Sequence, residues 1–204
     1  MKTDNIVFAI AGVVFGLIAG WVIGTEQATL RAPSSASPQA SAAPAGGETS
    51  RAALLDQAQV NALTSVAGRE PRDARPRAQL GNLYFDAERY DDAIKWYTEA
   101  LKLSPNDVNV STDLGVCYYY TNQPDKALEQ FDRSLKLDSN HAKTLLNVGI
   151  VRAFGKQDLD GATQVWQKVL QVAPNSPEAQ AAKRALDTLQ KAHPGGNTAQ
   201  KPGA

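Results

Sequence analysis

The sequence predicts an all-α solenoid of antiparallel helix pairs, preceded by one N-terminal transmembrane helix and a disordered linker. Three observations carry this prediction. Helix punctuation returns every 34 residues through the middle of the chain, an apolar run of 19 residues without a charge opens it, and an Ala/Ser/Pro/Gly-rich stretch joins the two. A fixed period of this length is the mark of a repeat architecture, in which each unit buries its face against the next.

The repeat is read residue by residue. Leu80, Gly81, Tyr84, Ala93, Tyr97 and Ala100 become Leu114, Gly115, Tyr118, Ala127, Phe131 and Ser134 one period on. A third pass gives Val148, Gly149, Ala162, Trp166 and Val169, with one extra residue between its halves. Steps of three and four place these residues on one stripe of each of two helices. Gly81, Gly115 and Gly149 fall inside helices, where glycine costs about 1 kcal/mol against alanine; their recurrence predicts close helix approach. Pro105 and Pro174 end second helices, and Asp73 and Asp107 are placed to cap the helices that follow.

At these positions the chain resembles the tetratricopeptide repeat family. The pattern Leu-Gly-x-x-Tyr, then Ala-x-x-x-aromatic, then a small residue and Pro, fits repeats over 74–107, 108–141 and 142–176. Departures are local. Arg77, Ser111 and Leu145 stand where the family often has Trp, Arg152 replaces the Tyr, and Ser139 replaces one Pro.

Taken in order, residues 1–5 are expected to be a cytoplasmic N-terminus, and 6–24 a membrane anchor. As a helix, that run spans about 28 Å of a bilayer core of about 30 Å, with Trp21 at interfacial depth. A cleaved signal peptide is the competing reading. Its apolar region would be shorter, and no small-x-small site follows at Thr25-Glu26-Gln27. Lys2 precedes the segment and Arg31 lies beyond it, so positive-inside logic places the repeats outside the cytoplasm. In a bacterium this is an inner-membrane, single-pass protein with a periplasmic repeat domain. Gly12, Gly16, Gly20 and Gly24 recur every four residues, the spacing that lets membrane helices pack, either with a copy of this chain or with another protein; the competing reading is that glycine is simply frequent in membrane helices.

Residues 25–50 carry almost no large apolar side chains, Leu30 being the exception, and read as a disordered linker. Such a chain holds the domain on the order of 25–30 Å from the membrane. The repeat domain covers 51–191. It begins with a half repeat (51–73) whose helix is expected over 50–67, with Ala53, Leu54, Ala58, Leu63 and Val66 as its apolar set. It closes with a capping helix over 177–191, turning Ala181, Ala182, Leu186 and Leu189 inward. Residues 192–204 form a disordered tail.

Composition argues against several functions. Lysine plus arginine equals aspartate plus glutamate at 21 each, so no bulk field favours nucleic acid. The cluster Arg69, Arg72, Arg75 and Arg77, interleaved with Glu70 and Asp73, reads as a solvated loop and helix start. His141 sits in a repeat-joining turn, His193 in the tail, and the only cysteine, Cys117, reads as a small buried hydrophobe. No metal site, cofactor site, phosphate loop or catalytic set emerges, and no enzymatic activity is expected.

The first helices carry a surplus. Thr112, Val116, Tyr119 and Tyr120 follow Asn109 as a second stripe. Asn82, Phe85 and Asp86 flank it on one side, and Lys143, Leu146, Ile150 and Phe154 on the other. In the proteins it resembles, these positions line a concave groove that receives a partner peptide or helix. The competing reading is that repeat-to-repeat packing, or the capping helix, covers the stripe. A family subset clamps a terminal carboxylate with inner-face Lys, Asn and Arg. Here Asn82 and Lys143 match, but Ala78, Asp113 and Asn147 stand at the remaining positions, and Asp113 would repel a carboxylate. The sequence thus favours a membrane-anchored scaffold or adaptor that binds a protein partner in an apolar groove. An assembly factor holding apocytochrome c peptides is the narrower alternative, and an enzyme or nucleic-acid binder a third class.

Overall fold

Residues 55–192 are described by the computed structural model, and they form eight α-helices and no strand. The expected anchor at 6–24 with Gly12, Gly16, Gly20 and Gly24, the linker at 25–50 and the tail from residue 193 lie outside them. Among the described residues no helix is long and apolar enough to cross a membrane. In chain order the helices are α1 (Gln57–Arg69), α2 (Arg75–Asp86), α3 (Tyr90–Leu103), α4 (Val108–Tyr120), α5 (Pro124–Leu137), α6 (Ala142–Ile150), α7 (Leu159–Val172) and α8 (Pro177–Ala192). A π turn, Val151–Gly155, extends α6. The strongest packing joins α2 to α3, α4 to α5 and α6 to α7, with α3 against α4 linking the first two pairs; α8 closes the stack on α6 and α7.

Capping fixes where helices begin. Asp56 accepts from the backbone amides of Ala58 and Gln59 at 2.9 and 3.1 Å, so α1 starts there and not at residue 50. Its buried residues are Val60 and Ala67; Leu63 and Val66 are half-buried, and Ala58 is exposed. Ala58 therefore drops out of the expected apolar set and Val60 joins it, while Ala53 and Leu54 lie outside the described residues. Asp107 caps α4 through the Val110 amide, and Asp158 caps α7 through the Gly161 amide.

Each pair is locked by the same contact. A Cβ built on Gly81 would collide with the ring of Tyr97, on Gly115 with Phe131, and on Gly149 with Trp166. All three rings are buried. The rings lie where a side chain would otherwise stand, which is the close approach that the recurring glycines imply.

The first helices of the pairs end on one device. Glu88 and Asn122 adopt left-handed backbone angles, φ 56° and 60°. Around them the Arg89 amide donates to the Tyr84 carbonyl and the Glu88 amide to the Phe85 carbonyl; the Gln123 and Asn122 amides repeat this at Tyr118 and Tyr119. These are the two bonds of a left-handed C-terminal cap. The third pair keeps the cap at Gln157, φ 56°. Its long bond runs from the Asp158 amide to the Arg152 carbonyl at 2.8 Å, one residue further than before. The extra residue between the halves of this repeat is therefore absorbed as the π turn, closed by the Lys156 amide on the Val151 carbonyl.

Departures from the repeat pattern become polar stitches. The Arg77 guanidinium donates to the carbonyls of Asp73 and Ala67 at 2.8 and 3.1 Å. It ties the end of α1 to α2, which corrects its reading as part of a solvated cluster. Ser111 accepts from Gln130 and Ser134 in a buried polar knot, and Arg152 pairs with Asp158 at 3.0 Å.

Two substitutions should move stability in opposite directions. Gly115→Ala forces a methyl into the Phe131 ring and costs about 1–3 kcal/mol, as overpacking does. Glu88→Gly relieves about 1 kcal/mol of left-handed strain. Thermal melts of the two variants shifting the same way would contradict the assignment.

Candidate partner-binding face

The first helices α2, α4 and α6 share one face, and polar residues cross it from helix to helix. Asp113 on α4 pairs with Lys143 on α6 at 3.0 Å, each side chain 20% exposed. Asp86 on α2 is half-buried, and its carboxyl is pushed above the usual range first by burial and then by the Asp113 charge. Asn82 accepts a 2.8 Å hydrogen bond from the Tyr97 hydroxyl. Burial drives the Tyr97 phenol far above its ordinary range, so it remains a donor. The ring that locks Gly81 thus also places a polar group beside this face.

The remaining sequence-predicted residues separate into two sets. Asn82 and Asn109 are exposed; Phe85, Asp86, Val116, Tyr119, Tyr120, Lys143 and Phe154 are half-buried. Thr112, Leu146 and Ile150 are buried, so in this structure they pack the core and do not line an open groove. Val116 and Tyr119 pack against the cluster of Ala127, Phe131, Val148 and Val151. Tyr120 stacks on Tyr90 with centroids 4.4 Å apart and planes 9° apart, and meets Phe85 edge-on at 6.2 Å. Packing between repeats therefore takes up much of the expected apolar stripe, and Asn82, Asp86, Asn109, Asp113 and Lys143 give the face its polar character. An open depression of about 530 Å3 lies at the helix-turn edge, lined by Tyr90 and by Tyr120 of the expected groove and rimmed by Glu88, Arg89, Asp91 and Asp92.

Beneath the face runs a buried relay that sequence reasoning missed. The Thr112 hydroxyl donates to the Val108 carbonyl at 2.7 Å. In the 2.6 Å contact between the Thr112 and Thr144 hydroxyls, Thr144 is then the donor. The Thr144 oxygen is left to accept from His141 Nδ1 at 2.7 Å. Thr112 and Thr144 are not one period apart, so no sequence signal joins them. Cys117 is buried, and burial raises its thiol well above the ordinary range, an inert state for a thiol.

Comparison with known proteins defines the class. Residues 72–140 match the family model described as tetratricopeptide repeat. The first such domain of Spaghetti (RPAP3), solved with the HSP90 peptide SRMEEVD, is 26% identical. The alignment covers 59% of this chain and 92% of that one, with TM-score 0.53. The Sgt2 domain from Aspergillus fumigatus is also 26% identical, covering 64% and 85% with TM-score 0.54. MamA, 18% identical over 66% and 89% with TM-score 0.54, bears on the fold alone. A search of curated proteins returned no match. Together the family match and these likenesses support a tetratricopeptide-repeat helical solenoid as the class of the described domain.

Burial lowers the His141 pKa below its ordinary value near 6.5, and the Asp138 charge opposes this in part. The folded state thus prefers neutral His141. Stability is full above about pH 6.5 and falls as pH drops through that value toward the lower folded pKa. Denaturant midpoints at pH 7.5 and 5.5 check this: His141→Gln should lose less than the parent over that interval, and an equal loss would refute the role.

Proposed function

We propose that this protein is a non-enzymatic, membrane-anchored interaction scaffold that holds a partner peptide or helix along the face shared by α2, α4 and α6. The observation that carries the reading is the polar row on that face, set on helix pairs whose spacing is locked by buried aromatic rings. A neighbour of 26% identity was solved with a bound peptide, which supports the same use here. Rigid helices present such a row at fixed spacing, so binding does not require the scaffold to order itself.

The apolar run at 6–24 and the placement of Lys2 support an inner-membrane anchor in a bacterium with the repeats in the periplasm. The linker composition supports a reach that fixes location while leaving the domain free to turn. A photo-reactive residue in place of exposed Asn109 should give a discrete covalent adduct in cells, recovered with membranes and degraded by protease added to spheroplasts. The same residue in place of Glu129, an exposed position on the second helix α5, should not give it. Equal adducts from both positions would refute the binding face.

The glycine spacing supports packing of the anchor against a second copy. In a membrane two-hybrid assay Gly16→Ile with Gly20→Ile should abolish self-association; an unchanged signal removes that contact.

A further inference from the structure

The polar row also specifies the chemistry of its partner, an inference that rests on the binding face proposed above. Lys143 is the cation on the row that would meet an anionic peptide, and Asp113 already holds it at 3.0 Å. Asp86 is in the opposite condition. It is half-buried and feels a second carboxylate at Asp113, and among the described residues no cation or hydrogen-bond donor reaches it. The nearby Tyr97 hydroxyl is committed to Asn82. Two carboxylates against one ammonium leave the row one negative charge in excess, concentrated at Asp86. A half-buried carboxylate without a partner is destabilising for the fold, and a ligand that supplies the missing cation relieves it.

We infer that the face takes a peptide segment bearing an arginine or lysine side chain, seated on Asp86 beside the Asp113–Lys143 pair, and does not take a free terminal carboxylate. Charge complementarity selects this occupant. A guanidinium fits best, because its planar fork donates to a carboxylate in bidentate fashion and still reaches a neighbouring amide oxygen such as that of Asn82. Apolar contacts at the row's margin, from half-buried Phe85 and Val116, would seat the flanking residues of the segment.

The test uses full-length protein in detergent and three fluorescent probes read by anisotropy. Two are capped 12-residue peptides on one Ala/Leu framework, carrying either two arginines or two glutamates; the third is MEEVD, blocked at its amino terminus and with its carboxylate free, so that it offers carboxylates and no cation. The arginine peptide should bind best, and MEEVD should not bind. Asp86→Asn should weaken the arginine peptide by roughly five- to tenfold, the range of a partly buried ion pair. The same variant should melt no lower than the parent, because it removes an unpaired charge, so lost binding cannot be lost folding. Asp86→Lys should shift preference to the glutamate peptide. If the glutamate peptide or MEEVD binds the parent as well as the arginine peptide does, the cationic specificity is wrong and the binding face stands. If no probe binds, or binding ignores both Asp86 variants, the face itself fails and this inference with it.

Discussion

Everything in this domain hangs on the contact between a buried aromatic ring and the bare backbone of a facing helix. Tyr97 on Gly81, Phe131 on Gly115 and Trp166 on Gly149 set the separation of the two helices in each pair. Apolar packing alone tolerates sliding, whereas a ring filling the notch left by a missing side chain holds one register. The three rings differ in their polar atoms. Trp166 sends its indole N–H to the Leu146 carbonyl in the interior, and Phe131 has no such group. Tyr97 alone extends a hydroxyl to Asn82, so the first pair couples its locking contact to the candidate face.

The backbone architecture was legible because it depends on relations within one repeat. Gly81, Tyr97 and their equivalents stand at fixed separations, and short-range periodicity finds them. Asp107 was readable as a cap for the same reason, its partner being three residues away. The candidate site was legible in part. Sequence placed Asn82, Asp86, Asp113 and Lys143 on the first helices and noted that Asp113 opposes a carboxylate. It could not tell Thr112, Leu146 and Ile150, which are buried, from neighbours on the open side. A stripe read at steps of three and four reports which residues share a helix edge, not what the adjacent repeat lays over that edge. The Tyr90–Tyr120 stack and the Thr112–Thr144 bond depend on the angular offset between consecutive pairs, which no local pattern encodes.

Electrostatics divides this face from the rest of the surface. Elsewhere the ion pairs are mostly exposed, as at Arg133–Glu129 and Lys136–Asp132, and such pairs contribute little to stability. On the first helices the Asp113–Lys143 pair is four-fifths shielded, and among the described residues Asp86 beside it has no counterpart. A half-buried carboxylate in that condition departs from what stability alone would select, and such departures concentrate where a protein meets something else.

The widened turn at Val151–Gly155 bears on how this architecture can change length. In the third pair the rim of the helix swells by one residue, yet the ring of Trp166 still finds Gly149 and the Asp158 amide still closes on the carbonyl that corresponds to those of Tyr84 and Tyr118. Insertions at this rim are thus quarantined: the coil bulges locally, and the stacked units on either side keep their alignment. Tandem arrays built this way can acquire irregular spacers near the turn without unravelling.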